Sequence, residues 1–148
     1  MKKPLILEIN NLALLNQTMK LDKTGKIAVS KNQLTYLKIQ DAGVPDLFPY
    51  LQTHEANKPN YFGEESVGAH ISVIYPEENT VIGKDELDKE HHFEVKNIVN
   101  AALGLKNYLA LMVESPSLMK LRKKYGLTES LNFKGYSIGF HITVGVKF

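Results

Sequence analysis

The chain has no cysteine and no tryptophan among its 148 residues. Without cysteine there is no disulfide framework, no thiolate nucleophile and no cysteine-ligated zinc. Charge of one sign is lacking as well. Eighteen basic against 16 acidic side chains leave a formal charge of +2 with histidine neutral. That mild basicity tolerates an anionic ligand but does not announce a nucleic-acid coat protein. Long hydrophobic runs are also missing. Behind Lys2 and Lys3 the apolar run is only Leu5 to Leu7 before Glu8 interrupts it. That is too short for a signal peptide or a spanning helix. A cytoplasmic protein with no membrane partner is expected. The rest of the composition, 43% apolar and 23% charged, is ordinary for a globular chain. The length suits one domain with a core that needs no staples.

What is present is a repeat. Residues 67–73 read VGAHISV and residues 138–144 read IGFHITV. Both fit aliphatic, Gly, any residue, His, Ile, Ser or Thr, Val. In a strand, positions i and i+2 share a face. His70 would then lie beside Gly68, Ser72 and Ser66, and His141 beside Gly139, Thr143 and Ser137. The opposite faces, Val67, Ala69, Ile71 and Val73 in one copy and Ile138, Phe140, Ile142 and Val144 in the other, read as core. Glycine weakens a strand, so one beside each histidine points to a close approach, with a ligand as one candidate.

Coarse organisation follows the same reasoning. A first strand is expected over 4–10. A hairpin of 16–21 and 26–30 is expected around Asp22–Gly25. Strand 34–39 and a short helix over 45–53 come next, the helix weakened by Pro49. The first motif strand runs over 66–75. The polar segment 82–92 reads as an exposed connection between two halves, about 1–81 and 93–148, of one domain. Strands are expected over 93–102 and 107–115, the latter buried on both faces. A helix over 116–125 is capped by Ser115, with Pro116 at its first position and Gly126 as its stop. The second motif strand spans 136–146.

Two imidazoles and two hydroxyls facing one cleft suit cleavage of a phosphodiester. A base must activate the nucleophile and an acid must protonate the leaving oxygen. Histidine serves either role because its unperturbed pKa is about 6.5. Hydroxyls of Ser72 and Thr143 can donate to nonbridging phosphate oxygens. Sequence alone does not decide which histidine is acid and which is base.

The segments HISV (70–73) and HITV (141–144) resemble the two His-x-Thr/Ser-x motifs of the 2H phosphoesterase superfamily, also known through the 2′-5′ RNA ligase-like proteins. The resemblance implies an α+β fold of two pseudo-symmetric lobes. Each lobe is an antiparallel sheet with a helix, and the lobes flank a central cleft. It implies His70 and His141 as catalytic and Ser72 and Thr143 as phosphate-binding. It further implies hydrolysis or transesterification of 2′,3′-cyclic phosphate, 2′-5′ or related nucleotide and RNA phosphodiesters. No metal or cofactor is expected, and a monomer is. Competing readings are a nucleotide- or RNA-binding module without turnover, and a nuclease that degrades cyclic oligonucleotide signals.

The remaining candidates carry plainer alternatives. One histidine on a strand is more often structural than catalytic, and only the repeat lifts the pair. His91 and His92 lack spaced metal-ligand partners and read as solvated. Lys120, Arg122, Lys123 and Lys124 form a basic cluster of the kind that is usually a solvated helix face, with phosphate steering as the minority reading. Tyr61 and Phe62, in the loop before the first motif, are the better candidates for stacking on a base. Tyr75 and Tyr136 fall on the parity opposite the histidines, which favours packing unless the strand ends first.

Overall fold

Alternating apolar residues shape most of the strands, and two capped segments become helices. The computed structural model describes residues 3–18, 20, 23–39, 68–133 and 135–147. In chain order the elements are β1 (Leu5–Glu8), α1 (Leu12–Thr18), β2 (Thr24–Val29), β3 (Thr35–Lys38), β4 (His70–Ile74), β5 (Glu90–His92), β6 (Glu94–Leu103), β7 (Lys106–Glu114), α2 (Pro116–Lys124), β8 (Leu131–Phe133), β9 (Tyr136–Ile138) and β10 (His141–Lys147). Among the described residues the pairing is antiparallel and two segments are helical, which makes the fold α+β.

The described strands form two four-stranded sheets and one small hairpin. One sheet has the order β4-β3-β2-β5, the other β1-β6-β7-β10, and β8 pairs with β9. Each histidine strand is thus the edge of its own sheet. The two edges, β4 and β10, pack against one another. The sheets also exchange strands across the chain. β1 pairs with β6, and β5, from the polar connection, pairs with β2.

One buried cluster joins the layers. Ile27, Leu37, Ile71 and Val73 come from the first sheet, and Ile98, Leu109, Leu111, Val113, Ile142 and Val144 from the second. Leu118 and Leu121 of α2 close the cluster. Each such side chain contributes about 1.5–3 kcal/mol of burial. Ser115 accepts from the Leu118 N–H at 3.4 Å and Pro116 opens α2, as expected from sequence. Among the described residues, no helix is long and apolar enough to cross a membrane.

Several expectations are corrected. The hairpin expected over 16–21 and 26–30 does not form. Residues 12–18 are helix, because the Asn11 carboxamide accepts the Leu14 N–H at 3.0 Å and Leu, Ala and Leu follow it. β2 pairs instead with β3 through the 30–34 connection, where Ser30 N–H donates to Leu34 O at 2.9 Å. The second motif strand is broken. Residues 136–138 belong to the small hairpin, and β10 begins only at His141. The first motif strand is shorter than 66–75, starting at His70 and ending at Ile74. Segment 82–92 is not a plain exposed connection: Ile82 and Glu86 are buried and it supplies β5. The helix expected over 45–53 lies outside the described residues.

Candidate active site

Each motif imidazole is held in the same way. His70 Nδ1 donates to the carbonyl of Gly68 at 2.7 Å, and His141 Nδ1 to that of Gly139 at 2.8 Å. A carbonyl only accepts, so each Nδ1 carries a proton and changes of protonation fall to Nε2. Neither glycine is in the strand itself, so the shared face expected for Gly and His is replaced by this hydrogen bond.

The two glycines answer different needs. Gly68 has φ +75°, a left-handed conformation that a side chain makes costly. Gly139 lies outside that region, and a Cβ there would meet Met112 Cε at 3.4 Å, an ordinary contact. Backbone conformation therefore accounts for Gly68, whereas at Gly139 the surrounding side chains leave room for a methyl group, so no close approach within the protein requires glycine there.

Around the first copy the packing is tight. Tyr36 presents its ring to His70 edge-on, with centroids 5.7 Å apart and planes at 77°. Ser72 is buried beside the Tyr75 hydroxyl. Burial pushes the Tyr75 phenol up to about 12, so it stays protonated and able to donate. Tyr75 also leans on Phe133, with ring centroids 4.9 Å apart.

The second copy opens onto a largely apolar cavity. Gly139, His141 and Thr143 form one side of it, with Met112 and Tyr75 beside them. His70 and Ser72 do not line it. Tyr75 is the residue in common, touching Ser72 of the first motif and the cavity of the second. Desolvation lowers the His141 pKa below the ordinary 6.5, against a smaller opposing pull from the Gly139 carbonyl. At neutral pH this ring is uncharged, with a basic Nε2.

A buried ion pair braces the first copy from behind. Arg122 of α2 is fully buried and donates to both Glu78 carboxylate oxygens, at 2.9 and 2.6 Å. It also donates to the carbonyls of Val73, Thr128 and Ser130 at 2.8–2.9 Å. Glu78 in turn accepts the Tyr75 N–H at 3.1 Å. Strand β4, Tyr75 and α2 are thereby tied into one hydrogen-bonded unit.

The other expected residues fall elsewhere. Tyr61 and Phe62 lie outside the described residues. Tyr136 accepts the Gly104 N–H at 3.1 Å, away from the cavity lining. His91 bonds Ser117 at 2.8 Å and His92 bonds Glu94 at 2.8 Å. The basic cluster is no single phosphate-steering surface: Arg122 is buried and Lys124 pairs with Glu86 at 2.8 Å. Sequence reasoning favours packing for Tyr75 and misses Tyr108 and Phe133 as lining residues. The signal for Tyr75 is Pro76, which opens a 3₁₀ turn and ends the strand parity just before it. Tyr108 alternates with Ala110 and Met112, but no residue in that run says which face is the site.

A family model described as Swiss Army Knife, 2H phosphoesterase domain, matches residues 35–148, which include both histidine motifs. No curated protein and no solved structure matches the chain.

Proposed function

This chain belongs to the 2H phosphoesterase family, and we propose that it is a metal-independent phosphodiesterase acting on 2′,3′-cyclic phosphate, 2′-5′ or related nucleotide and RNA phosphodiesters. The observation that carries the reading is the matched pair of imidazoles. Both are fixed through Nδ1 to a glycine carbonyl two residues earlier, and both sit on edge strands that pack together. A purely structural duplicate has no need to hold both rings in the same tautomer. We read the two sheets as pseudo-symmetric lobes, derived from duplicated halves, with the substrate cleft between their histidine strands.

In this reading His141 is the base and His70 the acid for hydrolysis of a cyclic phosphate. The lowered pKa of His141 supports that order, since a base must start neutral. Water loses a proton to His141 Nε2 as its oxygen bonds to phosphorus. The phosphorus–O2′ bond breaks, and O2′ takes the proton held on His70 Nε2. In the reverse direction the roles exchange. Thr143 donates to a nonbridging oxygen from the cavity wall, and Ser72 does so together with Tyr75. Gly68 and Gly139 serve through their carbonyls, and Gly139 also leaves room for the phosphoryl group. Tyr61 and Phe62, which precede the first motif in sequence, are retained as stacking candidates.

The test is turnover of a substrate panel in EDTA: 2′,3′-cyclic nucleotides, 2′-5′ oligoadenylate and cyclic dinucleotides. Loss of turnover in both His70→Ala and His141→Ala, with folding intact, is the expected result. Ligand binding that survives both substitutions, with no turnover by the unaltered protein, would instead identify a binding module.

A further inference from the structure

The cavity beside His141 is built from one face of a sheet, and the register shows how. Across the strands, Met112 faces His141, Ala110 faces Thr143, and Tyr108 faces Ala101, which in turn faces Ile6. The alternate residues Leu109, Leu111 and Ile142 point the other way into the core. The polar groups of the motif therefore stand at the β10 edge. Apolar lining residues continue from them diagonally across β7 and β6 to Ile6 on β1, three strand spacings or roughly 14 Å at about 4.8 Å each. Two alanines, Ala101 and Ala110, keep this floor low. Phe133 and Tyr75 stand over it as aromatic walls.

The chemistry of the lining is one-sided. Among the described residues, the only hydroxyl or nitrogen that a side chain adds to the cavity beyond Thr143, His141 and Tyr75 is the Tyr108 hydroxyl. None of the described lining residues is a carboxamide, a carboxylate, a lysine or an arginine. A planar ring finds π-faces and aliphatic surface here, but almost nothing to read the donors and acceptors on its edge.

We propose that this apolar end of the cavity is the seat for the nucleobase next to the scissile phosphate, held by stacking and apolar contact without discrimination between bases. The inference rests on the phosphodiesterase reading for the position of the phosphate. Sites that hydrogen-bond a substrate's edge reject analogues strongly, and a site with apolar walls does so weakly.

The experiment compares 2′,3′-cyclic AMP, GMP, CMP and UMP with base-free ribose 2′,3′-cyclic phosphate. The four nucleotides should agree in kcat/KM within about tenfold. The base-free compound should fall roughly 10–100-fold below them, the worth of one stacked base. Phe133→Leu and Tyr108→Leu should weaken all four nucleotides together and leave the base-free compound unchanged, a pattern that general damage to the fold would not give. A preference above about 100-fold for one base, or equal loss on the base-free compound, overturns the proposal. Equilibrium binding of the four nucleoside 3′-monophosphates and of ribose 3-phosphate is measured on the same variants. If no substrate turns over, binding of all four nucleoside monophosphates that is tighter than that of ribose 3-phosphate, and is weakened by both leucine variants, still supports the seat while the catalytic reading fails. Nucleoside monophosphates that bind no tighter than ribose 3-phosphate overturn the seat by themselves.

Discussion

The two copies of the histidine motif share a side-chain arrangement and differ in almost everything around it. In both, Nδ1 is committed to the carbonyl of the glycine two residues earlier. Yet Gly68 is left-handed and Gly139 is not. Ser72 is buried against Tyr75, whereas Thr143 lines the cavity. The first copy is braced by Arg122 and Glu78, and the second is a cavity wall. The motif thus specifies which nitrogen of the imidazole can change protonation, and the backbone reaches that end by two routes. One copy is built for rigidity and the other for access.

The sharpest way to break the comparison is to remove the chemistry from each copy in turn. If both rings transfer protons, His70→Ala and His141→Ala each lower kcat by about 10²–10⁴-fold. Steady-state kinetics on the preferred substrate would show it, with circular dichroism confirming the fold. A large loss in only one variant would confine catalysis to that copy and make the other structural.

Next in size is the brace. Arg122→Met leaves the Glu78 carboxylate buried and unpaired, so unfolding free energy should fall by about 3–5 kcal/mol in urea titration. The double change Arg122→Met with Glu78→Gln removes the stranded charge and should recover much of that loss. If rigidity of the first copy matters to the reaction, the double variant folds but turns over slowly. Equal activity in the double variant and the unaltered protein would make the brace purely structural.

The glycines sharpen the same contrast at smaller cost. Gly68→Ala places a side chain at φ +75°. Stability should fall by about 1–2 kcal/mol. Gly139→Ala should change stability little, since the added Cβ makes an ordinary contact with Met112. Its effect should appear in KM, because the methyl group enters the cavity wall. Similar unfolding curves for the two variants would undo the distinction between a conformational and a spatial glycine.

Much of this site is legible in the order of amino acids. The repeat singles out both histidines, and their hydroxyl partners follow from strand parity. Ser115 and Pro116 mark the start of α2, and the apolar run 107–115 marks a buried strand. What is not legible depends on contacts distant in sequence. Arg122 reads as one of four basic residues on a helix, and only its five hydrogen bonds to three other segments reveal a buried anchor. Residues 16–18 read as strand because the cap at Asn11, which starts the helix, stands five residues upstream of them. The break before His141 is hidden because the 139–140 step is set by pairing of Tyr136–Ile138 with β8.

The smallest expected effect concerns protons. Desolvation lowers the His141 pKa below 6.5, so the base stays neutral in mildly acid solution. The acid limb of kcat/KM assigned to this group should therefore lie below about pH 6.5. Stability has the matching sign. The unfolded chain binds this proton more readily than the folded one. Unfolding therefore takes up a proton between the folded pKa and about 6.5, and stability falls as pH drops through that window. His91 is lowered in the same direction by its own burial and contributes to the same fall. Replacing His141 by glutamine removes one of the two contributions, so the drop in Tm from about pH 7.5 to about pH 5.5 should be smaller in that variant. An unchanged drop would mean that the second copy is as open to water in its protonation as it is in its shape, and His141 would then lose its claim to be the base.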